Sequence, residues 1–163
     1  MIRLIVTGGT IDKAYNELDG SLWFPGSHVA DMLKQSRCRL SIEVQQLMLK
    51  DSLDMTSDDR DLINSACQLA EEKRIVITHG TDTMVDTARV LAQGEHLKTI
   101  VVMGAMIPFT IGYSDALFNL GAALTVVQML PDGVYIAMNG SVFAWDEVVK
   151  DKQRGEFLWQ SKR

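Results

Sequence analysis

Three stretches of this sequence carry hydroxyls in short turns at the ends of apolar runs. Thr7-Gly8-Gly9-Thr10-Ile11 follows Ile2 to Val6, Asp51-Ser52 follows Leu40 to Leu49, and Thr78-His79-Gly80-Thr81-Asp82-Thr83-Met84 follows Ile75-Val76-Ile77. The last of these puts hydroxyls and a carboxylate at the mouth of a sheet. An alcohol is a weak nucleophile at neutral pH, and it needs a neighbouring base and donors for the oxyanion it creates. The same residue types also build ordinary turns, in which glycine lets the backbone approach closely and Thr81 or Asp82 caps the following helix. Residue types alone leave both readings open for Thr10, Ser52 and Thr81.

Other chemistries are disfavoured. Gly8-Gly9-Thr10 lacks the third glycine of a dinucleotide turn, runs into no immediate helix, and lacks the Gly-Lys-Ser/Thr ending of a phosphate loop, so no cofactor is expected. His28, His79 and His96 fall in different segments, and Cys38 and Cys67 show no ligand spacing, so no metal is expected either. A net charge of -5 and a pI near 5.1 argue against nucleic acid, and the basic ending Gln160-Ser161-Lys162-Arg163 is too short to change that. No apolar run approaches the ~18 residues of a membrane helix. The first residues are not laid out as a signal peptide and the two cysteines read as reduced, so the expectation is a cytoplasmic protein.

The elements that must position these loops follow from hydrophobic periodicity. At 163 residues and 47% hydrophobic content the chain fits one domain, 1–163, with a two-sided core. Strands are expected at Ile2 to Val6, Leu40 to Leu49, Ile75 to Ile77, Thr99 to Met103 and Val134 to Met138, the second alternating like an edge strand. Asp12 to Pro25 reads as an ordered but movable loop. Ser27 is expected to cap a helix with Val29, Ala30, Met32 and Leu33 inward. Thr56 to Asp59 has capping-box spacing and opens a helix whose stripe is Leu62, Ile63, Ala66, Leu69 and Ala70. Further helices run from about Val85, ending in Ala92 to His96, and from Ser114-Asp115 to about Leu130, and the segment after Asn139 begins as loop.

Strands alternating with helices predict an α/β fold: three layers, a mostly parallel Rossmann-like sheet, right-handed crossovers and helices on both faces. Ligands of such sheets bind beyond the carboxyl ends of the strands. Thr10, Ser52, Thr81, Asp82, Ala105 and Lys150 would gather there.

Read together, Thr7-Gly8-Gly9-Thr10-Ile11 and His79-Gly80-Thr81-Asp82-Thr83-Met84 resemble the two signature motifs of the bacterial L-asparaginases. Gly104-Ala105-Met106, Ser114-Asp115, Phe118-Asn119-Leu120, Met138-Asn139 and Lys150 resemble further blocks in the same order. The likeness covers nearly the whole chain but only the N-terminal domain of the usual subunit, as in a short-chain form. It implies hydrolysis of L-asparagine, with weaker L-glutamine hydrolysis. Thr10 is then the nucleophile, and Thr81, Asp82 and Lys150 form a second constellation in which a lysine acts through a threonine hydroxyl. Ser52, with neighbouring backbone N–H groups, corresponds to the substrate carboxylate site, Asp82 to the ammonium partner, and Gly80 and the Ala105 N–H to contacts of the pocket. Asp51 either orients Ser52 or is a plain turn residue.

The sequence departs from that family in two places. Its loop tyrosine is replaced, by loop-end alignment, with Trp23, and Tyr15 is expected to substitute in role, the alternative being a surface tyrosine. The C-terminal half that closes the site in longer relatives is not matched, so either a neighbouring copy supplies that wall or substrate binding is looser with a higher KM; a homo-oligomer, dimer or larger, is expected. The reading from another class is an amino-acid-binding or regulatory module with impaired turnover; a third is an amidase for another small amide.

Overall fold

The computed structural model describes residues 1–94 and 97–160. The elements, in chain order, are β1 (Ile2–Gly8), β2 (Ala14–Tyr15), β3 (Leu22–Trp23), α1 (Val29–Gln35), β4 (Ile42–Lys50), α2 (Ser57–Leu69), β5 (Arg74–Thr78), α3 (Met84–Ala92), β6 (Thr99–Met103), α4 (Ala116–Val126), β7 (Gly133–Met138), β8 (Ser141–Ala144), β9 (Val148–Asp151) and β10 (Glu156–Trp159). The main sheet has the order β4-β1-β5-β6-β7-β8, parallel except for β8, which returns antiparallel beside β7. The five strands read from the sequence are its five parallel members, and the alternating one, β4, lies at an edge.

Period-two alternation along each strand divides the core into two layers. Leu4, Val6, Val76, Val101 and Met103 face one side, where Met32 of α1 and Leu120 and Ala123 of α4 cover them. Ile5, Ile75, Ile77, Ile100 and Val102 face the other, under Ile63 and Cys67 of α2 and Met84, Ala88 and Leu91 of α3. The fold is therefore a three-layer α/β sandwich with a mostly parallel sheet.

This arrangement corrects one expectation. The steps from β5 to β6 and from β6 to β7 run in the same direction across the sheet, yet α3 and α4 lie on opposite faces. Crossovers cannot all share one hand: those through α1, α2 and α3 agree, and the one through α4 is opposite. Since the right hand is the general rule, β6-α4-β7 is the exception. Its long connection, residues 104–115, is sent back across the sheet edge toward the loop after β1.

Smaller differences have local causes. Leu62 and Leu69 are exposed, so the buried stripe of α2 is Ile63, Ala66 and Cys67, with Ala70 packed beside it at the C-cap, and Ala30 also faces solvent. The α2 capping box forms as its spacing predicts, with Asp59 N–H on the Thr56 hydroxyl and Asp59 Oδ2 on Thr56 N–H. His28, not Ser27, is the N-cap residue of α1, although Ser27 Oγ accepts from Val29 N–H at 3.2 Å. The regular part of α4 stops at Val126 rather than near Leu130. Asp12 to Pro25 contains the β2–β3 hairpin, and the segment from Asn139 opens with a turn and then forms three short strands that the sequence reading did not place. His96 and the basic ending fall in 95–96 and 161–163, outside the described residues.

Candidate active site

The strand order places β1 between β4 and β5, so the chain leaves β1 in one direction for β4 and returns past it to β5. Reversals of this kind leave a crevice at the carboxyl ends of the two inner strands. The loops after β1 and β5 flank it, and glycines let them touch. Gly9, at φ 84°, lies against Gly80, where a Cβ would overlap the Gly80 nitrogen and Cα. A Cβ on Gly80 would in turn sit 2.5 Å from Ser52 Oγ, so the β4 loop packs on the same spot. The rerouted β6 loop closes the group: Phe109 N–H donates to Ile11 O at 3.3 Å, and Thr110 Oγ1 to Lys13 O at 3.3 Å.

The last component comes from outside the main sheet. β9 and β10 form a separate antiparallel pair, held down by Val148 in the core and by Trp159 against Phe143, with ring centroids 4.5 Å apart. Val148 and Lys150 are two residues apart on one strand and so share a face. Val148 enters the core, and Lys150 Nζ donates to Thr81 Oγ1 at 2.8 Å and Asp82 Oδ1 at 2.6 Å. The lysine side chain is only 8% exposed. Neither Thr81 nor Asp82 caps α3, whose N-cap residue is Thr83 with no side-chain cap bond. The turn therefore directs its polar groups at a lysine from 68 and 69 residues away rather than at its own helix.

The other residues fall as follows. Thr10 opens a 3₁₀ turn at the end of β1, half-buried, and its hydroxyl is hydrogen-bonded to no described residue. Ser52 is 1% exposed, and its Oγ has no partner among the described residues. Asp51 shapes the turn and the approach to Ser52 alike: Oδ1 accepts from Leu53 N–H at 3.0 Å, on the peptide that follows Ser52, and Oδ2 pairs with the Lys13 ammonium. Burial pushes the Asp51 carboxyl up, but the hydrogen bond from Lys13, the Leu53 N–H and the lysine charge outweigh it and leave it below the usual carboxylate range. Ala105 is buried, and its loop is fastened by Asp115, which accepts from Met106 N–H and Ile107 N–H at 3.0 Å each. Asn119 Nδ2 holds Gly104 O at 2.9 Å.

Tyr15 is not brought to this cluster. It lies on β2, largely exposed, with its hydroxyl beside Gly20 in the hairpin turn and no hydrogen bond to a described residue. The hairpin is tied at its base instead: Asp12 Oδ1 accepts from His28 N–H at 2.8 Å and Ser27 Oγ at 3.1 Å. Burial raises the Asp12 carboxyl above its ordinary range despite those bonds.

Three contributors escaped the sequence reading. Lys13 joins the β1 loop to Asp51, and Thr83 donates to Ser52 O at 2.8 Å while accepting from Arg60 Nη2 at 3.1 Å. Thr83 lies inside the second signature motif; Arg60 and Lys13 carry no signal beyond being cations near it. No group of three or more His, Cys, Asp or Glu among the described residues could hold a metal ion, and no helix among them is long and apolar enough to cross a membrane.

Comparison with known proteins matches residues 1–156 to the family described as Asparaginase, N-terminal. The chain is 32% identical to the L-asparaginase of Thermococcus kodakarensis, covering 98% of this chain and 51% of that protein. It is 30% identical to the glutaminase-asparaginase of Acinetobacter glutaminasificans, with 91% and 49% covered. Among solved structures it is similar to the thermostable L-asparaginase from Thermococcus kodakarensis, with TM-score 0.82 at 31% identity over 98% of this chain and 51% of that one. It is also similar to L-asparaginase I from Vibrio cholerae, with TM-score 0.86 at 27% identity over 99% and 52%. The chain spans about half the length of the curated relatives it matches.

Proposed function

The chain belongs to the asparaginase family, and from that premise we propose that it hydrolyses L-asparagine to L-aspartate and ammonia through a threonine acyl-enzyme, with weaker action on L-glutamine. Thr10 Oγ1 attacks the side-chain amide carbon, the C–N bond breaks, and ammonia leaves with the hydroxyl proton. Water then adds to the ester, aspartate is released and the Thr10 hydroxyl is restored. In the resting site Lys150 donates to Thr81 Oγ1; for the attack it acts as the free amine, so that Thr81 Oγ1 takes the Thr10 hydroxyl proton while its own proton passes to Nζ, and the same relay runs back to hand a proton to the departing ammonia. Ser52 Oγ, buried and without a partner among the described residues, donates to the substrate carboxylate. Asp82 gives one oxygen to Lys150 and the other to the substrate ammonium. The Ala105 N–H steadies the amide oxygen.

The observation that carries this reading is the contact of Lys150 with Thr81 and Asp82, since a turn with only a structural task has no reason to recruit a shielded ammonium. Ammonia release from L-asparagine by the purified protein, set against Thr10→Ala, tests it. A second reading, an amino-acid-binding or regulatory module with impaired turnover, draws on the Thr10 hydroxyl, which has no base bonded to it among the described residues, and on Tyr15, which stands away. Binding of L-aspartate without ammonia release would favour it.

We also infer a homo-oligomer, dimer or tetramer, from the nearly all-apolar α4, which leaves Phe118 exposed, and from the exposed Trp159. Sedimentation as a monomer at working concentrations would count against this. A cytoplasmic location is inferred from Cys38 and Cys67, both free thiols.

A further inference from the structure

Arg60 lies in the first turn of α2 and has no part in the chemistry above, yet its guanidinium is fixed from two sides. Nη1 donates to Met55 O at 3.1 Å and Thr56 O at 3.2 Å, and Nη2 donates to Thr83 Oγ1 at 3.1 Å. A guanidinium can only donate. It occupies a lone pair of the Thr83 hydroxyl, and the single hydroxyl proton is thereby committed to Ser52 O, 2.8 Å away. That carbonyl belongs to the same peptide unit as Leu53 N–H, which donates to Asp51 Oδ1 at 3.0 Å. The Ser52–Leu53 peptide plane is thus held at both ends, and Ser52 packs so closely over Gly80 that only a glycine fits beneath it. What remains free is Ser52 Oγ, buried and without a partner among the described residues.

We propose that Arg60 and Thr83 form a positioning relay that holds Ser52 ready for a substrate's α-carboxylate and so sets affinity for that group. The inference rests on the asparaginase reading of the site, in which Ser52 meets the carboxylate. A donor already fixed in its bound orientation loses no ordering entropy when the ligand arrives. Loss of the relay therefore weakens binding of the carboxylate and leaves the acyl-transfer step alone.

The test compares Thr83→Val, Thr83→Ser and Arg60→Met with the unaltered protein, using L-asparagine for kinetics and L-aspartate for calorimetric binding. Thr83→Val and Arg60→Met should each raise KM, and weaken aspartate binding, by about 5- to 20-fold, the size expected for one lost hydrogen bond in a shielded site. Turnover should stay within about twofold, and Thr83→Ser should restore both constants. The double variant should resemble either single one, because the two act in series. With 3-aminopropanamide, which lacks the α-carboxylate, the variants should match the unaltered protein. Unchanged KM and aspartate affinity in folded Thr83→Val, or an equal loss with the carboxylate-free amide, overturns the relay. If the unaltered protein neither releases ammonia nor binds aspartate, the substrate reading falls and the relay with it. A fault in the variants alone leaves that reading standing.

Discussion

Lys150 Nζ lies 2.8 Å from Thr81 Oγ1 and 2.6 Å from Asp82 Oδ1, and the strand that carries it is not part of the sheet that carries them. The two partners differ in exposure, the lysine side chain at 8% and that of Asp82 at 39%. Removing the lysine lets Asp82 return to water, so Lys150→Met should cost less than about 1 kcal/mol of stability. Removing the carboxylate strands a shielded ammonium, so Asp82→Ala should cost about 1–3 kcal/mol. Turnover should fall by about 10²–10⁴-fold in Lys150→Met, the usual worth of a proton-transfer group. Urea midpoints and ammonia release measure the two effects. A Lys150→Met protein that keeps its turnover but loses most of its stability would make the pair a structural tie.

The Gly9 contact with Gly80 makes a separate prediction. A methyl at Gly9 meets backbone rather than a side chain that can swing aside, and φ 84° is already unfavourable for any residue with a Cβ. Gly9→Ala should destabilise by at least about 2 kcal/mol and separate the Thr10 loop from the Thr81 loop. Gly121, within α4, is the control, because a Cβ there would meet no heavy atom within 4 Å. Gly121→Ala should gain about 0.5–1 kcal/mol from helix propensity. Thermal unfolding of the two variants should move in opposite directions.

Such contacts mark the limit of what the sequence makes legible. Continuous β-branched runs identify β1, β5 and β6, because strands buried on both faces leave no other pattern. The capping box of α2 is readable because both its partners are local. The handedness of the α4 crossover is not, since α4 is apolar almost all round and does not reveal the face on which it packs. β8 to β10 escape notice because four-residue strands offer too few alternations to see. Thr10, Ser52, Thr81 and Asp82 stand out as residue types, but their juxtaposition depends on glycine contacts and on a lysine 69 residues from Thr81. Tyr15 is near Thr10 along the chain, but a two-residue hairpin strand turns it out to solvent.

His79 supplies the pH dependence. It is fully buried between Gly80 O and Thr87 Oγ1, each 2.8 Å from a ring nitrogen. A carbonyl can only accept, so Nδ1 carries the proton and Nε2 accepts from Thr87. Burial, which disfavours the imidazolium, holds the ring down at about 4 against an ordinary 6.5. The unfolded chain then takes up a proton between pH 6.5 and 4 that the folded chain refuses, so stability is complete above that window and falls as pH drops through it. The loss approaches about 3 kcal/mol near pH 4. Asp12, raised by its own burial, works in the opposite sense and offsets part of it. Urea midpoints should decline from pH 6.5 to 4.5 in the unaltered protein and much less in His79→Gln. The imidazole resonance lost in that variant should titrate near 4, and a midpoint near 6.5 would show that the ring beside Gly80 is open to water.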